Sequence, residues 1–154
     1  MPDDAALAAL YQEIILDHYR RPRNKGTLVH ADESVAMKNP LCGDEVELHV
    51  HFDGDTIDDV SFTGQGCSIS QASVSMMTEL IKGKTVAEVE TLRTRFRAMV
   101  MGDTLNADEQ NLGRAKALSG VAKYPARVKC ALLGWNALEE GVRRHLDVEG
   151  PFHS

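Results

Sequence analysis

Three cysteines and one aspartate are the residues of this chain whose types and positions best suit chemistry at a metal ion or a sulfur atom. Cys42 and Asp44 lie in the segment NPLCGDEVELHV, Cys67 lies in FTGQGCSISQ, and Cys130 lies in YPARVKCALLGW. An odd number of widely separated cysteines fits neither a framework of paired disulfides nor a small secreted fold. We therefore expect free thiols in a reducing cytoplasm.

Each cysteine is placed at the end of a predicted element, and for Cys67 and, to a lesser degree, Cys130 the backbone there favours the thiolate form. Cys67 directly precedes a predicted helix, and Cys130 lies in the opening turns of another, so N–H groups and the helix dipole favour negative charge there. Glycines at positions 43, 64 and 66 allow the backbone conformations and close approaches that such loops need. A thiolate is the form that both metal binding and sulfur transfer require.

Asp44 is the candidate for a fourth metal ligand. It follows Cys42 by two residues, so both side chains can leave an extended loop in the same direction. Three sulfurs and one carboxylate oxygen form a workable tetrahedral set for zinc, although structural zinc sites prefer cysteine and histidine. A carboxylate is easier to displace, which indicates a site built to react. Taken alone, Asp44 is equally consistent with a turn residue.

An amphipathic helix is predicted at the N-terminus, where apolar residues recur at spacings of three and four. Asp3 or Asp4 can cap its start, and Pro22 stops it. His18 is expected to pack on the apolar side of this helix. The basic segment RRPRNKG that follows is either a solvated turn or a docking patch for a partner. The apolar stripe consists of Leu7, Leu10, Tyr11, Ile14, Ile15 and His18.

Three antiparallel strands are predicted next, with one buried face and one solvent-exposed face. Apolar residues alternate with polar ones, so His49 and His51 are expected on the exposed face. A slip in spacing between Ile57 and Val60 indicates a β-bulge in the third strand. The apolar positions are Val35 and Met37 in the first strand, Val46, Leu48, Val50 and Phe52 in the second, and Ile57, Val60 and Phe62 in the third.

After the third strand the apolar period changes from two residues to about 3.6, which predicts helices. The first begins at Ser68 or Ser70 and ends at Gly83 in the left-handed capping position. Thr85 and Glu88 form a capping box that opens the next helix. The core face of that second helix is predicted to be Val86, Val89, Leu92, Phe96, Met99 and Val100.

The last third of the chain is also predicted to be helical. Residues 102–122 are expected to form one or two short helices broken by Gly113 and Gly120, and Pro125 suits the first turn of a final helix. No repeat or linker divides the 154 residues, which can bury a core without disulfides. The predicted fold is one α+β domain over residues 1–154, with a three-stranded antiparallel sheet packed against a layer of helices.

Charge and hydropathy argue against two classes of partner. Lys and Arg number 17 against 23 Asp and Glu, and the resulting net charge of −6 disfavours nucleic-acid binding. No stretch approaches the roughly 18 apolar residues that a membrane span requires. A soluble protein without membrane or nucleic-acid partners is therefore expected.

The segments that carry the candidate ligands resemble the NifU-like family of iron-sulfur cluster assembly proteins, the IscU and SufU group. These segments are LYQEIILDHYRRPRNKG, NPLCGDEVELHV, FTGQGCSISQASVSMM and YPARVKCALLGW, and the likeness covers about residues 11–142. The resemblance implies a SufE/NifU-like fold. It also implies that Cys42, Asp44, Cys67 and Cys130 correspond to the family's metal and cluster ligands.

Two features resemble the SufU branch rather than the IscU-type scaffolds. Lys129 stands immediately before the last cysteine, where the scaffolds carry a histidine, and the connection from Arg93 to Lys123 is longer than theirs. Members of the SufU branch are similar in binding zinc and in accepting sulfur from a SufS-type cysteine desulfurase. The resemblance thus implies a zinc-dependent sulfurtransferase, with Suf assembly components or apo iron-sulfur proteins as further partners.

On this resemblance, Cys42 is the catalytic residue that accepts the sulfur when a histidine of the partner displaces it from zinc. The metal keeps the thiolate deprotonated until the partner docks. Asp44, Cys67 and Cys130 would retain the metal during the exchange. Arg127, three residues before Cys130 on the same helical face, is a candidate for steering the anionic persulfide or for orienting Asp44.

Three functions remain open on the sequence alone. The first is a zinc-containing sulfur acceptor, the second is a scaffold that holds a transient [2Fe-2S] cluster on the same ligands, and the third is a fold in which zinc is only structural. A single buried cysteine is usually just a small core residue. Three cysteines at glycine-rich loops or helix starts instead indicate metal ligands. Lys129 and the long connection favour the first of the three functions.

Overall fold

The computed structural model describes residues 4–40, 43–103 and 109–149, and the side chains of residues 8–40, 43–103 and 111–147 among them. Cys42 and the predicted cap Asp3 lie outside the described residues, as does part of the 102–122 stretch. The elements are α1 (Asp4–Arg20), β1 (Glu33–Asn39), β2 (Asp44–Asp53), β3 (Thr56–Gln65), α2 (Ser68–Ile81), α3 (Val86–Val100), a 3₁₀ segment (Glu109–Lys123) and α4 (Pro125–Glu149).

The three strands form one antiparallel sheet in the order β1, β2, β3, as the alternating pattern predicted. Val35 of β1 lies opposite Leu48 of β2, and Leu48 lies opposite Phe62 of β3. All three side chains are buried, and the helices pack over this face of the sheet. The predicted α+β fold, with an antiparallel sheet against a layer of helices, is therefore confirmed.

The predicted β-bulge lies in β3, near the hairpin that joins it to β2. His51 pairs with Asp59 and Phe52 pairs with Ile57, so Asp58 is an extra residue between two rungs of the ladder. The extra residue restores Ile57 and Val60 to the same buried face although they are three positions apart. The slip in the apolar spacing thus had a structural cause.

The prediction that His49 is exposed is wrong. Its side chain is 5% exposed, and its cross-strand neighbours are Ser34 of β1 and Ser61 of β3. The His49 Nδ1 atom lies 3.0 Å from the Ser34 Oγ atom. Residues 24–26 pair with β3 beside this site, and the Ser61 hydroxyl donates to the Gly26 carbonyl. Neighbouring polar side chains and a distant chain segment therefore cover a face that the alternating pattern assigned to solvent, while His51 stays partly exposed.

α2 is the central helix of the helical layer and contacts α1, α4, the 3₁₀ segment and the sheet. Every residue from Ser70 to Thr78 is buried. Cys67 caps the start of α2, and Gly83 follows the capping residue Lys82 with φ 83°, as predicted for the helix end. A helix buried on all sides, rather than along one stripe, fixes the relative positions of the elements around it.

The remaining helices agree with the sequence pattern at most positions. Thr85 and Glu88 form the capping box of α3, whose buried face is the predicted one. His18 of α1 is completely buried, but Leu10 on the predicted stripe is 55% exposed. No helix among the described residues has the length and apolar character needed to cross a membrane.

The 3₁₀ segment breaks at Gly113, where φ is 54° and ψ is −133°. A side chain would strain this backbone conformation, so glycine suits the break. The predicted break at Gly120 is wrong, because the 3₁₀ turns continue through this residue to Lys123. Glycine permits a break but does not impose one, and buried Leu118 and Val121 hold the segment on either side.

Candidate metal centre

Asp44, Cys67 and Cys130 come together at one end of the sheet. Asp44 begins β2, Cys67 lies between β3 and α2, and Cys130 lies in the second turn of α4. One potential ligand atom from each lies within 4.8 Å of the other two. Three of the four predicted ligands therefore converge, and the fourth, Cys42, lies outside the described residues.

The strand register explains how Asp44 reaches Cys67 across a long sequence separation. Glu45 of β2 pairs with Gln65 of β3, so Asp44 and Cys67 extend beyond the same rung of the ladder. Cys130 is delivered to this end by α4, which contacts both β1 and β2. Antiparallel pairing and the docking of α4 therefore bring the three residues to one rim of the sheet.

Asp44 is 1% exposed, and its carboxylate is held by Cys67, the N-cap residue of α2. Its Oδ1 atom accepts a hydrogen bond from the Cys67 backbone N–H at 2.7 Å. Its Oδ2 atom lies 3.5 Å from the Cys67 sulfur. A buried carboxylate needs such partners, because burying an isolated charge is costly. One oxygen is therefore fixed by the backbone, while the other faces a candidate metal ligand.

Gly66 leaves the space that the Asp44 carboxylate occupies. Its φ is 152°, and a Cβ atom added there would overlap the Asp44 Oδ1 atom and lie 2.9 Å from the carboxylate carbon. Gly64 is similar, since its Cβ would overlap the Glu45 carbonyl oxygen. The two glycines are therefore required for close approach as well as for backbone conformation.

Cys67 takes the capping position at the start of α2, a position that usually carries a short oxygen side chain. Its sulfur accepts a hydrogen bond from the Ser70 backbone N–H at 3.5 Å. The Ser70 hydroxyl in turn donates to the Cys67 carbonyl at 3.1 Å. The first turn of α2 therefore holds the Cys67 sulfur and backbone in a fixed position.

Cys130 and Arg127 lie one turn apart on α4 and differ in exposure. The Cys130 side chain is 1% exposed, and its sulfur lies 3.6 Å from the Ala126 carbonyl oxygen. The Arg127 side chain is exposed at the surface of the same helix. Its predicted role in steering a persulfide or orienting Asp44 stays a prediction.

A groove of about 680 Å³ runs beside the metal centre. Its walls include Asn39 and Pro40 of the chain that leads to Asp44, and Lys129 of α4. The basic residues Lys38, Arg97 and Lys129 line it, and its described lining contains no acidic residue. The groove is therefore basic in a chain whose net charge is −6, although one of its cations, Lys38, also lies 3.8 Å from the Glu45 carboxylate.

The donor types of the set suit zinc, and the distance between two of its donors matches a tetrahedral zinc ion. A tetrahedral ion with a Zn–S distance of about 2.3 Å and a Zn–O distance of about 2.0 Å holds its sulfur and oxygen ligands about 3.5 Å apart. The observed distance between the Cys67 sulfur and the Asp44 Oδ2 atom is 3.5 Å. Two sulfurs and one carboxylate oxygen leave one of four coordination positions for a further ligand.

Sequence reasoning missed two residues near the centre, Gln71 and Ser73 of α2. Both are polar and buried, and both hydrogen-bond to backbone groups adjacent to candidate ligands. The only sequence signal was the run SISQASVS, in which polar residues occupy every face of a helix that begins at a cysteine. Such a run is usually a solvated helix, so burial was needed to recognise the two residues.

Comparison with known proteins gives one family. A family model described as the NifU-like N-terminal domain matches residues 10–131. The zinc-dependent sulfurtransferase SufU of Bacillus subtilis is 47% identical and covers 94% of this chain and 97% of its own. The iron-sulfur cluster assembly scaffold protein IscU of Streptococcus pyogenes is 44% identical and covers 91% and 87%.

A solved structure extends the likeness to three dimensions. It is described as an iron-sulfur cluster assembly scaffold protein for the SUF system, from Fervidobacterium islandicum. The two chains superpose with a TM-score of 0.81 at 41% sequence identity, covering 87% of this chain and 97% of the other. The arrangement of strands and helices is therefore shared, together with much of the sequence.

Proposed function

This chain belongs to the NifU-like N-terminal domain family, and on that premise we propose that it is a zinc-bound sulfur acceptor of iron-sulfur cluster assembly. It would take persulfide sulfur from a SufS-type cysteine desulfurase, with residues 1–154 acting as one domain. The observation that carries the proposal is the convergence of Asp44, Cys67 and Cys130 within 4.8 Å at one end of the sheet. The similarity to a zinc-dependent sulfurtransferase supports it.

Cys42, Asp44, Cys67 and Cys130 would hold the zinc ion. When bound, zinc supplies positive charge that keeps a ligating thiol in its deprotonated, nucleophilic form. Asp44 and Cys130 are each 1% exposed, which suits ligands that stay in place. Cys42, two residues before Asp44 and next to Gly43 in the sequence, would be the ligand that is released to react.

The proposed transfer is a thiol–persulfide exchange. The Cys42 thiolate attacks the terminal sulfur of the desulfurase persulfide, and a new S–S bond forms at Cys42. The S–S bond on the desulfurase breaks, and its electron pair leaves with the desulfurase cysteine as a thiolate. No net oxidation or reduction occurs, because one S–S bond replaces another.

Arg127 and the basic groove would favour the approach of an anionic persulfide. The exposed Arg127 guanidinium lies one turn from Cys130, and the groove contributes Lys38, Arg97 and Lys129. Charges of one sign around a site raise the local concentration of an oppositely charged group. Arg127→Ala should therefore raise the protein concentration needed for half-maximal desulfurase stimulation without changing zinc content, and Arg127→Lys should restore it.

The decisive experiment measures zinc and sulfur transfer on the same preparations. Native mass spectrometry of protein expressed without added metal should show one zinc per chain, and the protein should stimulate a SufS-type desulfurase. Cys42→Ala should abolish the stimulation but retain zinc, whereas Cys130→Ala should lose zinc. Wild-type protein without zinc at one per chain, or stimulation that persists in Cys42→Ala, would contradict the proposal.

A scaffold function is the second candidate, and the 44% identity to a scaffold protein favours it. The same four residues could hold a [2Fe-2S] cluster, since cysteine thiolates are the usual cluster ligands. Reconstitution with iron and sulfide should then give stable cluster absorption bands, and the cluster should pass to an apo-ferredoxin. A purely structural zinc would instead show itself as unfolding with a chelator and no effect on the desulfurase.

A further inference from the structure

Two buried polar residues of α2 link the elements that carry the candidate ligands. Gln71 is 5% exposed and Ser73 is 0% exposed, and both lie in the first two turns after Cys67. A buried polar side chain is retained at a cost unless it is hydrogen-bonded. The partners of these two side chains therefore indicate what they do.

Ser73 connects α2 to α4 beside Cys130. Its hydroxyl donates a hydrogen bond of 2.6 Å to the carbonyl of Ala131, the residue that follows Cys130. One turn further along α4 the helices are closely packed, since a Cβ at Gly134 would lie 2.8 Å from the Val74 Cβ atom. Hydrogen bond and close contact together fix the distance between α2 and the start of α4.

Gln71 connects α2 to β2 beside Asp44. Its side-chain amide donates to the carbonyl of Glu45 at 3.4 Å and to the Ser70 hydroxyl at 3.2 Å. The Ser70 hydroxyl itself donates to the Cys67 carbonyl. Gln71 therefore joins the backbone next to Asp44 to the turn that presents Cys67. Its Oε1 atom has no hydrogen-bond partner among the described residues, so its burial is only partly compensated.

We propose that Ser73 and Gln71 are positioning residues that hold Cys130 and Asp44 at ligand distance from Cys67. The inference rests on the proposed function, because it requires zinc to be bound by these three residues. Neither side chain is itself a ligand, and each acts through the backbone of a neighbour of a ligand. Residues that hydrogen-bond directly to metal ligands typically contribute about 10-fold to 100-fold to metal affinity, so we expect an effect at the lower end of this range for residues that act through a neighbour's backbone.

Ser75 provides a matched control for Ser73. It is also completely buried in α2, but its hydroxyl lies 2.8 Å from the His18 Nδ1 atom and accepts from the Arg23 backbone N–H at 2.8 Å. Ser75 therefore joins α2 to α1 and the segment after it, neither of which carries a ligand. Ser73→Ala and Ser75→Ala each remove one buried hydroxyl from the same helix, so both should lower stability.

The two variants should differ in how they bind metal. Competition with a chromophoric chelator should show zinc affinity weakened about tenfold in Ser73→Ala and changed less than about twofold in Ser75→Ala. Loading with Co²⁺ provides a readout of ligand geometry, because the positions and intensities of its visible bands depend on the arrangement of its ligands. These bands should change in Ser73→Ala and match the wild type in Ser75→Ala.

Gln71→Met tests the link to Asp44, since it preserves approximate volume and removes the amide. It should also weaken zinc affinity about tenfold and alter the Co²⁺ spectrum, and it carries the test by itself if Ser73→Ala does not fold. Wild-type zinc affinity and a wild-type Co²⁺ spectrum in both Gln71→Met and Ser73→Ala would overturn the inference. Equal losses of zinc affinity in Ser73→Ala and Ser75→Ala would overturn it as well. Absence of zinc from the wild type would overturn the proposed function and this inference with it.

Discussion

Gly66 offers a direct test of how the Asp44 carboxylate is accommodated. In Gly66→Ala the new Cβ would overlap the Asp44 Oδ1 atom, so the carboxylate must leave its position. It would then lose the 2.7 Å hydrogen bond from the Cys67 backbone N–H and could no longer present Oδ2 beside the Cys67 sulfur. We therefore expect losses in both stability and zinc affinity.

The expected loss of stability in Gly66→Ala has two contributions. A non-glycine residue at φ near 150° costs about 1–3 kcal/mol in backbone strain. Loss of a buried hydrogen bond to a charged group costs about 1.5–3 kcal/mol more. Gly26→Ala serves as the control that separates these two contributions. The φ of Gly26 is 147°, and a Cβ there would meet nothing within 4 Å. Gly26→Ala should therefore show only the strain, and Gly66→Ala should show both parts.

Urea unfolding of the metal-free, reduced protein gives the free energy of unfolding of both variants. Trp135 is the only tryptophan and is 1% exposed, so its fluorescence should report unfolding of the core. Chelator competition should then show zinc affinity at least about tenfold weaker in Gly66→Ala and near wild type in Gly26→Ala. Equal unfolding free energies and equal zinc affinities in the two variants would refute the proposed contact between residue 66 and the Asp44 carboxylate.

Three further predictions concern the helices. Thr85→Ala removes the capping box of α3 and should lower the free energy of unfolding by about 1 kcal/mol in urea, whereas Thr91→Ala within the same helix should change it little; equal losses would argue against the cap. Burial, assisted by a nearby arginine, lowers the pKa of His18, so the unfolded chain takes up a proton that the folded chain does not. The free energy of unfolding should therefore be greatest above about pH 6.5 and fall below it, and His18→Gln should reduce this slope in metal-free protein; parallel slopes would contradict the assignment. Gly134→Ala should overpack α2 against α4 and cost about 1–3 kcal/mol, whereas Gly141→Ala, whose Cβ would make only an ordinary contact, should not destabilise; similar effects at both sites would contradict the close approach.

Features that depend on neighbours in the sequence were predictable. The capping box of Thr85 and Glu88 and the buried face of α3 follow from a short motif and a helical period, and both are confirmed. The β-bulge at Asp58 was visible as a change in apolar spacing within one strand. The meeting of Asp44 with Cys67 followed from antiparallel pairing, because ends of adjacent strands lie at one rim.

Features that depend on distant segments were not predictable. His49 is buried because Ser34 and Ser61 flank it and because residues 24–26 pair alongside β3. Neither contact can be predicted from the local sequence pattern. Gly120 stays within the 3₁₀ segment, where Leu118 and Val121 on either side of it are buried. Ser73 is of a residue type that usually lies at the surface, and its burial follows from the packing of α4 against α2.

Asp44, Cys67 and Cys130 come from segments separated by most of the chain's length, and this separation couples metal occupancy to the integrity of the whole domain. The three donors meet only when β2, α2 and α4 are docked together. A ligand that binds only the native state shifts the unfolding equilibrium, by about 2.7 kcal/mol when its free concentration is one hundred times its dissociation constant. Zinc held as proposed would therefore protect distant loops from proteolysis, and metal starvation would shorten the lifetime of the chain in the cell.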